Sequence, residues 1–185
     1  MKKHVLFIQG AGKGAHAADA KLVASLRNGL GPLYHISYPR MPETAPDYDS
    51  WKARIARALA ALDGPVILVG HSLGGSVLLK YVSEEAFRKP FAGLFLIAAP
   101  FWGAKGWRHE PFTLARGFAS KLPRRSPIFL YHSRDDEEVP FAHVKIYARR
   151  LPRARVRRLD ARGHQFKNDL LEVVRDIRTL ERLVG

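Results

Sequence analysis

Apolar residues gather in six short runs, near 4–9, 33–38, 66–70, 92–98, 127–132 and 154–159. Each is of strand length and is set apart by a longer stretch of mixed polarity. In those longer stretches apolar positions recur at helical spacing. Leu22 and Leu26 mark a helix expected to end at Gly29. Trp51, Ile55, Leu59 and Leu62 mark a second, behind the cap candidates Asp49 and Ser50, and Leu170, Val174, Ile177 and Val184 mark the last. The run Val66-Ile67-Leu68-Val69 is apolar at every position, as a strand covered on both faces must be, and Asp63-Gly64-Pro65 closes a helix and opens that strand. Strands alternating with crossover helices predict an α/β fold: a doubly wound, mainly parallel six-stranded sheet with helices on both faces.

Composition narrows this picture without changing it. With 185 residues, 46% hydrophobic and 26% charged, the chain is expected to form one domain over 1–185 around one substantial core. The absence of cysteine excludes disulfides, thiolate metal sites and cysteine nucleophiles. No apolar run reaches the roughly 18 residues of a membrane span. Met1-Lys2-Lys3 is basic, but the apolar segment after it breaks at Gln9, so it reads as a first strand rather than a signal peptide, and the expected compartment is the cytoplasm.

Charge adds a second feature. Thirty-one Lys and Arg against 17 Asp and Glu give a net charge of +14, concentrated in Lys121-Leu122-Pro123-Arg124-Arg125 and from Arg149 to Arg158. Such a face can attract nucleic acid, anionic lipid or an acidic substrate. Without aromatic interleaving or a nucleic-acid motif, no specific nucleic-acid partner is expected, and non-specific binding should vanish as salt rises.

The chemistry centres on Gly70-His71-Ser72-Leu73-Gly74-Gly75, directly after the buried run and before Ser76-Val77-Leu78-Leu79. G-x-S-x-G at a strand-to-helix junction reads as a nucleophile elbow. Small residues at Gly70 and Gly74 let strand and helix approach closely. Ser72 Oγ then stands above the carboxyl edge of the sheet with a helix N-terminus behind it, where an anionic intermediate is favoured. A serine hydroxyl needs an imidazole to take its proton, and the imidazole needs an acid to fix its tautomer. Downstream, the apolar run ending at Tyr131 leads into Asp135-Asp136-Glu137-Glu138-Val139-Pro140, and the last strand leads into Gly163-His164. His4, His16, His35, His109 and His143 have no motif around them and read as solvated or core histidines; His71 reads as packing, and His132 ends the strand that delivers the acids.

At the elbow, at Asp-x-x-Val-Pro and at the late Gly-His, the sequence resembles the α/β-hydrolase family, in particular its small, lidless serine hydrolases. The resemblance covers nearly the whole chain. It implies strand order 2-1-3-4-5-6, without the first two antiparallel strands of full-size members, and a catalytic set of Ser72, Asp136 and His164. Asp136 is preferred over its neighbour Asp135 because Glu137 and Glu138 then fill the two spacer positions, while Asp135, Glu137 and Glu138 read as solvated acids at a helix start. The oxyanion hole would use the N–H groups of Leu73 and Ala11, with Gln9 standing where relatives carry His. The implied reaction is hydrolysis of a small-molecule carboxylic ester through an acyl-enzyme, with no metal or organic cofactor; amide, thioester and lactone substrates stay open.

Two other readings stay beside it. Gly10-Ala11-Gly12-Lys13-Gly14-Ala15 fits a dinucleotide fingerprint, although Tyr38-Pro39-Arg40 at the second strand suits NADP loosely and NAD not at all. A catalytically silent binding or scaffold protein would also keep the fold. Phe101, Trp102 and Trp107 form an aromatic, glycine-spaced stretch after the fourth strand, read either as an apolar wall for the substrate or as a cover over the sheet edge. No insertion is long enough for a full lid, which implies a small site open to short esters.

Overall fold

The computed structural model describes residues 2–85, 91–124 and 126–180. Six strands, β1 (Lys3–Ile8), β2 (Tyr34–Ser37), β3 (Val66–His71), β4 (Phe91–Ile97), β5 (Ile128–Ser133) and β6 (Arg155–Leu159), form one sheet of order β2-β1-β3-β4-β5-β6. Every pairing is parallel. The helices are α1 (Ala15–Leu30), α2 (Tyr48–Ala60), α3 (Leu73–Glu84), α4 (Phe118–Lys121), α5 (Ala142–Arg150) and α6 (Leu171–Leu180), with 3₁₀ turns at Glu110–Phe112 and Phe166–Asn168. Order and direction are those the resemblance implies. Among the described residues, no helix is long and apolar enough to cross a membrane.

Strand alternation divides the core. Leu6, Ile8, Leu68 and Leu94 face α2, α3 and α5, whereas Val5, Phe7, Val69 and Phe95 face α1 and α6. Both faces being covered is why the central strands carry no polar alternation. α3 is buried along nearly its whole length, Leu73 to Ser83. The stacked rings of Phe95 and Phe129, 4.7 Å apart and fully buried, each contribute about 1.5–3 kcal/mol of burial energy.

Two local expectations are corrected. α1 does not stop at Gly29 but continues to Leu30 and is capped by Gly31, whose N–H bonds the Arg27 carbonyl at 3.0 Å. Gly29 is there for packing, since a Cβ at that position would lie 2.7 Å from Val174 Cγ2 of α6. The cap of α2 is Asp47, whose carboxylate accepts the Ser50 N–H at 2.8 Å, and not Asp49 or Ser50. Val184 of the last helix, and Arg125 of the first basic segment, lie outside the described residues.

Part of the positive charge has a structural use. β6, at the sheet's edge, exposes Arg155, Arg157 and Arg158, which oppose pairing with another sheet edge. Arg157 also holds Asp176 of α6 by two bonds of 2.9 and 2.6 Å, and Tyr131 donates to the same carboxylate at 2.7 Å. Arg149 and Arg150 sit in the last turn of α5, where the helix dipole favours cations.

At the centre of the sheet, the β3–α3 turn lies against the end of β1. A methyl on Gly74 would overlap the main-chain carbonyl oxygens of Ile8 and Gln9, and one on Gly70 would lie 2.6 Å from the Gly75 backbone. Gly74→Ala is therefore expected to destabilise the protein by about 3 kcal/mol or more, the upper range for overpacking, because main chain cannot rotate away as a side chain can. Urea denaturation of the variant, compared with a substitution at the exposed Leu33, checks this.

Candidate active site

Ser72 is the single residue between β3 and α3, held at φ 49° and ψ −125°. Such a conformation is strained for a residue with a Cβ and persists only where its surroundings over-determine it. Here the Ser72 N–H is fixed to the Ile97 carbonyl of β4 at 2.8 Å, and its own carbonyl receives the Gly75 N–H at 3.0 Å as α3 begins. Gly10 closes the other side, where an added Cβ would lie 3.2 Å from Ser72 Cβ. Among the described residues, neither Ala11 N–H nor Leu73 N–H donates to a protein acceptor. Both donors are therefore free beside the serine.

Gln9, standing where relatives carry His, ties this loop to its neighbours. Its Oε1 accepts from His16 Nδ1 at 2.7 Å and from Met41 N–H at 3.2 Å, tying the end of β1 to α1 and to the loop after β2. The dinucleotide reading loses its phosphate site in the same place. Glu43 Oε1 accepts the His16 N–H at 2.8 Å and the Glu43 carbonyl accepts the Gly12 N–H at 3.3 Å, so the N-terminus of α1 already holds an anion.

The candidate acid and the candidate base meet across the ends of β5 and β6. Asp136, its side chain fully buried, has both oxygens 3.0 Å from His164 Nδ1. Oδ1 also accepts the N–H groups of Glu138 and Val139 at 3.0 and 2.8 Å, and Oδ2 lies 3.2 Å from His132 Nε2. Burial would raise the pKa of this carboxyl. Bonds from His132, His164 and Val139 outweigh it and hold the group well below the usual carboxylate range. An ionised Asp136 fixes the proton of His164 on Nδ1 and leaves Nε2 as the acceptor. His164 Nε2 lies 3.5 Å from Glu138 Oε2, and among the described residues Ser72 Oγ has no hydrogen-bond partner. Such contacts are often loose before substrate arrives.

Asp135 and Glu137, expected as solvated acids, are instead held in hydrogen bonds, whereas Glu138 is largely exposed. Asp135 Oδ1 accepts from Ser133 Oγ and from the N–H groups of Arg162 and Gly163, each at 3.0 Å, while Glu137 Oε2 accepts the His164 N–H at 3.1 Å. Three successive carboxylates, Asp135, Asp136 and Glu137, thus accept from one loop. Their spacing is the only local signal of it, because the loop they hold lies about 27 residues away in sequence.

A cavity of about 210 Å³ opens at Ser72, lined by Gly10, Ala11, Lys13, Ala18, Asp19, His71, Glu138, His164 and Gln165 among others. Ser72 and His164 share it; Asp136 stands behind His164. Phe101, Trp102 and Trp107 line no part of it. Phe101 packs edge-on against Tyr147 at 5.1 Å, Trp102 contacts Trp107 and Phe112 at 5.6 Å, and Trp107 contacts His143 at 4.9 Å. Their contacts support the covering role, not an apolar wall at the nucleophile. Asp19 is the site residue that the sequence reading missed. A carboxylate on the apolar stripe of α1, in register with Leu22, Val23 and Leu26, was the available signal.

Comparison with known proteins bears on the fold and the family. No curated protein matches the chain. Among solved structures it is similar to the ydeN gene product from B. subtilis, at 20% identity and a TM-score of 0.76 over 98% of this chain and 100% of that one. It is also similar to the esterase domain of a Rhodothermus marinus protein, at 20% identity and a TM-score of 0.70 over 99% and 88% of the two chains. A third likeness is to alpha/beta hydrolase domain-containing protein 10 from mouse, at 18% identity and a TM-score of 0.67 over 98% and 90%. At these identities the likeness is one of fold, and the fold is that of the α/β-hydrolases. A family model described as serine hydrolase matches residues 35–169, a segment that takes in the elbow, the acid loop and the base loop. The chain belongs to the serine hydrolase family.

Proposed function

We propose that this protein hydrolyses short carboxylic esters through an acyl-enzyme on Ser72. The observation that carries this reading is a strained, half-buried Ser72 and a His164 whose Nδ1 is held 3.0 Å from both oxygens of Asp136, serine and imidazole opening into one cavity. Ser72 Oγ attacks the substrate carbonyl carbon as its proton passes to His164 Nε2. The tetrahedral oxyanion is received by the N–H groups of Ala11 and Leu73, and the intermediate collapses as His164 returns the proton to the departing alcohol. Water then attacks the acyl carbon as His164 Nε2 takes its proton, and His164 returns that proton to Ser72 Oγ as the acid departs. Asp136 stays ionised throughout, orienting the imidazole and stabilising its cation.

Cavity size and lining point to the substrate. A space of about 210 Å³ bounded by Gly10, Ala11, Lys13, Asp19, Glu138 and Gln165 suits a short acyl group better than a long chain. p-Nitrophenyl acetate and butyrate are therefore expected to have kcat/KM values at least about tenfold above that of the dodecanoate, as an added apolar segment finds no apolar wall to bury against. Equal or rising values with chain length would contradict the cavity as the acyl site.

The nucleophile is tested by intact mass after treatment with a fluorophosphonate. One adduct per wild-type chain is expected, and none on Ser72→Ala or His164→Ala; a folded wild type that takes no label overturns the proposed reaction. Asp136→Asn is expected to lower kcat on the order of 10⁴-fold, the loss seen when the imidazole takes the wrong tautomer. Asp135→Asn loses acceptor strength toward the His164 loop only, and a fall of roughly tenfold is expected. The reverse order would move the acid to Asp135.

A further inference from the structure

Behind the proposed triad lies a second aspartate–histidine couple that the reaction does not use. Asp19 of α1 and His71, the last residue of β3, have side chains only 2% and 3% exposed. Asp19 Oδ2 accepts from His71 Nδ1 at 2.9 Å and from the Gly10 N–H at 2.8 Å, and Oδ1 accepts from Gln165 Nε2 at 2.7 Å. His71 Nε2 lies 3.1 Å from the His164 carbonyl oxygen. With an acceptor at each ring nitrogen, both nitrogens carry protons and the ring is an imidazolium. Burial opposes that charge. The Asp19 charge and hydrogen bond, the His164 carbonyl and, more weakly, Asp136 outweigh burial and raise the pKa of His71, while His71, Gln165 and the Gly10 N–H hold Asp19 low against its own burial.

Three parts of the site are joined by this pair: Gly10 in the loop that bears Ala11, the residue before Ser72, and the base loop through the His164 carbonyl and the Gln165 side chain. The peptide groups on either side of the His164 side chain are held from opposite directions. Its N–H goes to Glu137 of the acid loop at 3.1 Å, and its carbonyl to His71 of the elbow. We propose that Asp19 and His71 form a positioning ion pair that sets the main chain of the base loop against the nucleophile elbow, so that the His164 ring meets Ser72, while itself exchanging no proton with substrate. The inference rests on the Ser72–His164–Asp136 reading.

Two substitutions separate positioning from mere support. Asn at 71 places a donor near the position of Nδ1, keeping a partner for Asp19 and losing the bond to the His164 carbonyl. Gln places a donor near the position of Nε2, keeping the bond to His164 and leaving Asp19 short of its charge partner. His71→Gln is therefore expected to melt lower than His71→Asn, because a buried carboxylate is left uncompensated. Activity is expected in the opposite order: kcat falls on the order of 10²-fold in His71→Asn and about tenfold or less in His71→Gln, with KM within about twofold in both. Stability is compared near pH 6, roughly below the ordinary histidine value. There the raised pKa of His71 contributes in full, a contribution lost as pH rises through it, while the lowered pKa of Asp19 matters only in more acid solution.

If activity and melting temperature fall in the same order, the pair is a structural filler and the proposal is overturned. A readout free of turnover is the ¹⁵N spectrum of His164 in a Ser72→Ala background. Its amide and ring signals should move with His71→Asn and stay with His71→Gln; signals that stay in both, or move equally, overturn the proposal even in a protein that hydrolyses nothing. Should His71→Gln fail to fold, Asp19→Asn combined with His71→Gln removes the orphaned charge and gives the same comparison.

Discussion

A steric contact governs the rest of this molecule: the main chain at the start of α3 lies directly on the carbonyl groups that end β1. Nothing larger than glycine fits at Gly74, and the neighbouring Gly70–Gly75 approach is as tight. The contact sets the angle at which α3 leaves the sheet and forces Ser72 into its positive-φ conformation. It also brings the Gly10 loop against the serine, so that two free N–H groups and one hydroxyl share a small volume. The geometry of the candidate site is a consequence of backbone packing before any side chain is considered.

Electrostatics complete what packing begins. A chain with a net charge of +14 places four consecutive carboxylates after β5, and three of them, Asp135, Asp136 and Glu137, receive the main-chain N–H groups of residues 162 to 164 and the ring of His164. Asp136 is buried yet ionised because His132, His164 and the Val139 N–H supply the donors that water would otherwise supply. Asp19 and His71 repeat the arrangement beside the His164 main chain. Buried charges are costly alone, and each of these has a partner and further hydrogen bonds, which is the condition under which they persist.

Elsewhere the same charge serves ordinary ends. Arginines on β6 oppose edge pairing, Arg157 closes the sheet against α6 through Asp176, and Arg149 and Arg150 complete the C-terminus of α5. The aromatic segment after β4 has a similar role. Trp102, Trp107 and Phe112 cluster over the layer containing α3 and α5 and leave the cavity at Ser72 to small and polar residues.

The sequence by itself determined the strands, their parallel winding, the elbow and the pairing of an acid loop with a late histidine. These depend on local pattern: a run of Val66-Ile67-Leu68-Val69 has few alternatives to a buried strand, and G-H-S-L-G-G after it has few alternatives to a tight turn. Helix ends were less legible, since Gly29 could stop a helix or admit a neighbour, and only the presence of Val174 decides between them. The aromatic stretch was ambiguous for the same reason, because burial and exposure of Trp102 are properties of what lies across from it. Tertiary structure alone decided that Asp19 meets His71 across 52 residues and Gln165 across 146, and that Glu137 reaches the His164 N–H. No periodicity within one segment encodes a bond between two distant ones; only the closed sheet brings them within hydrogen-bonding reach.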